Sequence, residues 1–183
     1  MRGVAFLATV LAIVPAGPVK AGDAPDNQAI IRGCITAAAK LYRLPPAVLV
    51  VLLNVERGSL GRVSPNTNGT VDIGPIQVNE IWLPELAAHW NATISDTYKA
   101  LRENFCANVE AGAWILRRGL DEAGDNFWEG VGYYHSRTPE HKTRYLRVVL
   151  REVIRLRALV EQADGSTRPH VTHVIKPPLA PKR

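Results

Sequence analysis

The stretch Pro46-Ala47-Val48-Leu49-Val50-Val51-Leu52-Leu53-Asn54-Val55-Glu56-Arg57-Gly58 decides the fold class. Proline is favoured in the first turn of a helix and glycine just past its end, so the stretch reads as one helix that starts at Pro46 and runs toward Arg57, with Gly58 as terminator. It is apolar nearly all round, which places it at the buried centre of a helical domain. Glu56 lies at the end of this helix, after Leu52, Leu53 and Val55. Desolvation there raises a carboxyl pKa and favours the protonated form, which is what a general acid needs. A glutamate that simply points into water at a helix end is the plain alternative.

Upstream, Ile30, Ile31, Cys34, Ile35, Ala38, Leu41 and Tyr42 recur at three- and four-residue steps, which predicts an amphipathic helix over 27–44 that Pro45 stops. Downstream, Gly58 to Gly74 is rich in Gly, Ser, Asn, Pro and Thr and reads as a loop, with a small hairpin around Asn68-Gly69. Helices are expected again at Glu80 to Trp90, Ser95 to Asn104 with Ser95 as N-cap, Ala107 to Ala123, Asn126 to Tyr134, and Pro139 to Gln162. The last of these sets Leu146, Val149, Leu150, Val153, Leu156 and Val160 on one face. Arg147, Arg151 and Arg155 form a row on another, read as solvated. The fold class is therefore all-α with at most a minor hairpin, in a single domain interrupted by one polar insertion, where sites are usually built.

The ends bear on compartment and charge. Arg2 precedes an uncharged run from Gly3 to Val19, followed by Lys20 and Ala21, which reads as a secretory signal over residues 1–21. Pro15, Gly17 and Pro18 argue against a stable membrane span, so an exported or periplasmic protein is expected. Residues 164–183, with Pro169, Pro177, Pro178 and Pro181, read as an extended tail, which leaves 22–163 as the folded body. The net charge of +5 would suggest a polyanionic partner. Removing the two cations of the signal and the four of the tail from 22 leaves 16, matched by 16 acids once Asp164 is set aside. A body of zero net charge removes the main support for nucleic-acid binding. In an exported chain the two cysteines, Cys34 and Cys106, are expected to be bonded, worth about 4 kcal/mol in the chain-entropy model. Nucleophile or metal ligand is the sharper reading for them, but no further soft ligand lies near. His170 and His173 have a metal-like spacing with no third partner, so no metal and no cofactor are expected.

Glu56-Arg57-Gly58, Asp72-Ile73-Gly74-Pro75-Ile76-Gln77-Val78-Asn79 and Gly132-Tyr133-Tyr134-His135 resemble, in order, the three motifs of the family 1 lytic transglycosylases. In that family the motifs read Glu-Ser-Gly, Gly-Leu-Met-Gln-Ile-Asn and Ala-Tyr-Asn. The run Asn108 to Leu116 is similar to one in small exported members associated with conjugation, type IV and type III secretion. The departures are Arg57 for Ser, Pro75-Ile76 for Leu-Met, and His135-Ser136 for Asn-Ala; Tyr134 to Pro139 looks most like the conjugative-transfer subgroup.

The resemblance implies the goose-type lysozyme-like (SLT) fold and cleavage of peptidoglycan glycan strands by a single carboxylate. Glu56 would be acid and then base, and Tyr134 would donate a hydrogen bond that holds it. Gln77 and the backbone around Gly74 to Ile76 would line the cleft and bind an N-acetyl group. Asn79 is expected to cap the following helix. His135 is a candidate for the cleft or for a structural place. Asp72 discriminates: reaching the cleft opposite Glu56 it would position a water for a hydrolase, and otherwise it is a turn residue. Trp82, Trp90, Trp114 and Trp128 are candidates to stack on sugars, with Trp114 placed in the core. Subunits of a transfer or secretion apparatus are the implied protein partners. A non-catalytic glycan-binding accessory protein is the reading from a different class.

Overall fold

The computed structural model describes residues 26–124 and 126–167; the expected signal segment, the two tail histidines and the tail prolines lie outside the described residues. Among the described residues there are seven α-helices and one three-stranded sheet. Helix α1 (Asn27–Leu41) is capped by Asp26, whose side chain accepts the Gln28 N–H, and ends three residues earlier than its apolar period suggests. Arg43 there takes a left-handed φ of 52°, which turns the chain into Pro45. Helix α2 (Pro46–Glu56) crosses the middle of the body, with Leu49 and Leu52 fully buried.

Helix α2 stops at Glu56, because Arg57 itself adopts the left-handed conformation, φ 54°. Gly58 has a different task from termination. A Cβ on it would stand 2.0 Å from the Gly74 carbonyl oxygen and 2.6 Å from Gln77 Nε2. Only glycine lets the chain leaving α2 cross the 74–77 turn at this range, where Gly58 N–H donates to Pro75 O at 3.1 Å.

The polar insertion forms strands β1 (Val63–Pro65), β2 (Val71–Ile73) and β3 (Val78–Asn79), antiparallel in that order, with Ile73 opposite both Val63 and Val78. The hairpin turns through Asn68-Gly69, where Asn68 Oδ1 accepts from the Thr70 N–H and hydroxyl. The third strand was not expected: two residues are too few to show a period. A single 3₁₀ turn (Glu80–Trp82) follows, capped by Asn79, and then α3 (Leu83–Trp90). The expected single helix over 80–90 is thus divided where Pro84 enters the first turn of α3, the position that tolerates it.

Helix α4 (Ile94–Glu103) is capped by Thr93, not Ser95: Thr93 Oγ1 accepts the Asp96 N–H at 3.0 Å and donates to the Asp96 carboxylate. The pairing spans three residues, as a capping box does, and starts the helix earlier. Asn104 likewise caps α5 (Phe105–Glu122), two residues before the expected start. Helix α6 (Phe127–His135) follows its Asn126 cap, and α7 (Pro139–Thr167) continues past the expected body boundary at 163. Cys34 and Cys106 are bonded, tying α1 to the first turn of α5. Helix α5 is the spine, burying Val109, Ala111, Ala113 and Leu116 against α1, α2 and α6. Among the described residues no single helix is long and apolar enough to cross a membrane.

Candidate active site

Glu56 emerges from the buried end of α2 into a cleft of about 530 Å³ between the sheet and the ends of α6 and α7. Asp72, Gln77, Tyr134 and His135 line the same cleft. Gly74 and Ile76 do not: Ile76 is fully buried, and both form the back of the turn that carries Gln77. Gln77 holds a left-handed φ of 52° while its Nε2 donates to Gly74 O at 2.8 Å. Non-glycine residues with positive φ persist only where the surroundings determine them. Arg57 and Gln77, one beside the acid and one on the cleft wall, are two such positions.

The turn is held from behind by α5. Asn108, fully buried, accepts the Ile76 N–H on Oδ1 at 2.8 Å and donates through Nδ2 to Ile73 O at 2.9 Å and Leu101 O at 3.0 Å. One helical turn on, Gly112 leaves space for Ile76; a Cβ there would lie 2.6 Å from Ile76 Cγ2. The side chains of the Asn108-to-Leu116 run thus form a socket for the 73–77 segment.

The tyrosine that holds the acid is Tyr145, on the buried face of α7, and not Tyr134. Tyr145 Oη donates to Glu56 Oε1 at 2.6 Å. Tyr134 Oη donates instead to Ile76 O at 2.8 Å, because that carbonyl faces the interior and needs a donor. Tyr134 therefore secures the turn, and Tyr145 the carboxylate. The sequence carried only half of this: a tyrosine one residue before Leu146 on α7 has a hydroxyl that must find a partner when buried, but which partner it meets depends on how α6 and α7 cross.

Desolvation raises the Glu56 pKa to about 7; the Tyr145 hydrogen bond acts in the opposite direction, and the charge of Asp72 adds to the rise. Burial first, and then the Glu56 charge, push both Tyr145 and Tyr134 far above the usual phenol range. His135 stacks flat on Tyr145, ring centroids 4.6 Å apart and planes 7° from parallel. Although His135 is exposed overall, the face laid on Tyr145 is out of water; this desolvation and the neighbouring His141 lower its pKa, with Asp72 pulling the other way. Tyr145→Phe should raise the Glu56 pKa further, because the lost hydrogen bond favours the charged form. Carboxyl carbon shifts followed by NMR against pH check this, and an unchanged or lower midpoint would refute it.

The two walls differ in chemistry. The hairpin presents Asn66, Thr67, Asn68, Thr70 and Asp72, with Asp72 Oδ1 accepting from Asn79 Nδ2 at 2.7 Å. The α6–α7 side presents Tyr133, Arg137 and His141, Arg137 being held by Glu122. Neither the hairpin amides nor this wall was picked out from the sequence, since isolated polar loop residues carry no pattern. Trp82 lines the cleft and meets Trp114 edge to face. Trp114 cannot stack on a ligand, because His89 lies on its ring and Arg118 sits 4.6 Å from its centroid. Trp90 packs inward with its Nε1–H donated to Glu110, and Trp128 lies outside the cleft. Asn79 caps as expected, accepting the Ile81 N–H. Arg147, Arg151 and Arg155 are all exposed, as a solvated row requires, and Arg155 also pairs with Glu152. Among the described residues no cluster of three or more His, Cys, Asp or Glu side chains is arranged to hold a metal ion. Compared with known family models and with curated proteins, the chain matches none.

Proposed function

We propose that the protein is a peptidoglycan lytic transglycosylase, cleaving the bond between N-acetylmuramic acid and N-acetylglucosamine and leaving a 1,6-anhydro end. The observation that carries the reading is Glu56, its pKa raised to about 7 by burial and its carboxyl held by a tyrosine, in an open polar cleft where the other carboxylate, Asp72, is engaged by Asn79. A group with that pKa is present in both forms at neutral pH, so one residue can give a proton and then recover one. Glu56 protonates the glycosidic oxygen, while the substrate's own 2-acetamido group stabilises the cationic carbon. The carboxylate, stabilised by the Tyr145 hydroxyl, then takes the proton of the muramoyl C6 hydroxyl, whose oxygen closes the anhydro ring. The order of the three motifs and the amide-rich hairpin wall support a glycan substrate. The export reading supports a wall-opening task beside a transfer or secretion apparatus in the periplasm.

Asp72 favours one second reading, a goose-type muramidase. It lines the same cleft as Glu56 and adds to the rise of the Glu56 pKa. Its Oδ1 is already engaged by Asn79, as befits a strand residue bracing the hairpin. Digestion of purified peptidoglycan separates the two readings by mass spectrometry. The expected muropeptides end in the anhydro sugar, lighter by one water than hydrolysis products, and Asp72→Asn retains substantial activity. Reducing ends from the wild type, with activity lost in Asp72→Asn, would establish the hydrolase instead.

A further inference from the structure

Opposite the cleft, the inward face of α7 outlasts the body it packs on. Val149 is buried and Val153 and Leu156 partly so, but the same face continues to Leu159 and Val160, which are 48% and 60% exposed. These residues border an apolar groove of about 850 Å³, walled by the first turns of α2 and by Phe127 and Trp128 at the start of α6. Phe127 and Trp128 contact edge to face at 5.3 Å and remain 39% and 43% exposed. An apolar surface of this extent marks a site where something binds.

We propose that the groove is the docking site of this chain's own residues 168–183. The segment begins where α7 ends, at Thr167, so it needs only to turn back along the helix. It carries Val171, Val174, Ile175 and Leu179, with Pro177 and Pro178 between them. An extended, proline-rich chain advances about 3.1 Å per residue against about 1.5 Å for a helix. After a turn of about three residues, that ratio sets Val174 and Ile175 level with Leu156, Leu159 and Val160. The same ratio brings Pro177 and Pro178 level with Val149 and Val153, the stretch of α7 that shares the groove with the two α6 aromatic rings. Proline segments of this kind dock on aromatic-lined grooves because their backbone is already extended and loses little freedom. The tail supplies too few apolar residues for a core of its own but enough for one strip. Being tethered, it binds at high effective concentration.

The test uses the full mature chain. The wild type should bind the apolar dye 8-anilinonaphthalene-1-sulfonate weakly, and the double variant Val174→Asp, Ile175→Asp should raise dye emission several-fold. Adding Val160→Asp to that variant should reverse the rise, because Val160 borders the uncovered groove. Nuclear Overhauser contacts between the Pro177 and Pro178 rings and the Trp128 indole should appear in the wild type and vanish in the double variant. Dye binding that is the same with and without the tail substitutions would overturn the proposal. So would absent contacts between the two proline rings and Trp128, or sedimentation showing that a second copy covers the groove.

Discussion

Glu56→Gln should abolish cell-wall lysis, with a loss of about 10²- to 10⁴-fold set by the removal of a general acid and base. The amide is nearly isosteric and still accepts the Tyr145 hydroxyl, but it cannot give and recover a proton. The same substitution should make the protein more stable at neutral pH. A carboxyl whose folded pKa is raised from 4.5 to about 7 binds its proton more tightly in the folded state than in the unfolded one. Between those values the folded chain holds more protons, so wild-type stability falls as pH rises through that window and is level above it. The rise corresponds to about 3 kcal/mol, an upper bound on what the neutral amide recovers above pH 7. Near pH 4 the carboxyl is protonated in the folded state and largely so in the unfolded one, and the difference should nearly disappear. Turbidity of cell-wall suspensions and calorimetry at pH 4 and pH 8 check both halves. Retained lysis by a folded variant would remove Glu56 from the mechanism, and equal stability at both pH values would refute its burial.

The parts of the molecule legible in the sequence were those with a long period or a strong punctuator. Helix α2 was readable because an unbroken apolar run lies between a proline pair and a glycine, and Glu56 stood out as the carboxylate it ends on. The hairpin was readable from Asn68-Gly69. Helix starts were less so, because several capping residues lie close together: Thr93 and Ser95 compete for α4, and only the reach of Thr93 to Asp96 decides. The hydrogen-bond partner of Glu56 was illegible for a different reason. Tyr134 and Tyr145 lie on consecutive helices and both turn inward, and which hydroxyl meets the carboxylate depends on how α6 and α7 cross, a tertiary fact with no local signature. The same holds for Arg57 and Gln77, whose left-handed backbones follow from the crossing of two loops and not from their own preferences.

Asn108 carries the second large expectation, and it concerns the scaffold behind the cleft. Its amide meets three backbone groups that lie within the body: the Ile76 N–H and the Ile73 and Leu101 carbonyls. Asn108→Ala removes all three partners at once and leaves a void too small and too enclosed to rehydrate every group. An unpaired buried donor or acceptor costs about 1–3 kcal/mol, so the loss should total about 3–5 kcal/mol once partial relaxation is allowed for. For a body of this size that lowers the melting temperature by on the order of 10–15 °C. Asn108→Asp should be no milder, because the carboxylate can still accept from Ile76 but cannot donate to the two carbonyls, and would carry a charge beside them. The damage should also reach the cleft, since the 73–77 turn positions Gln77 and gives Gly58 its contact with Pro75. Amide exchange in that turn should therefore rise at temperatures where the rest of the body stays folded, as a local opening with its own free energy. A melting temperature within a few degrees of the wild type would show that the 73–77 turn is held by Ile76 in its Gly112 socket and the Tyr134 hydroxyl, with Asn108 a minor contributor.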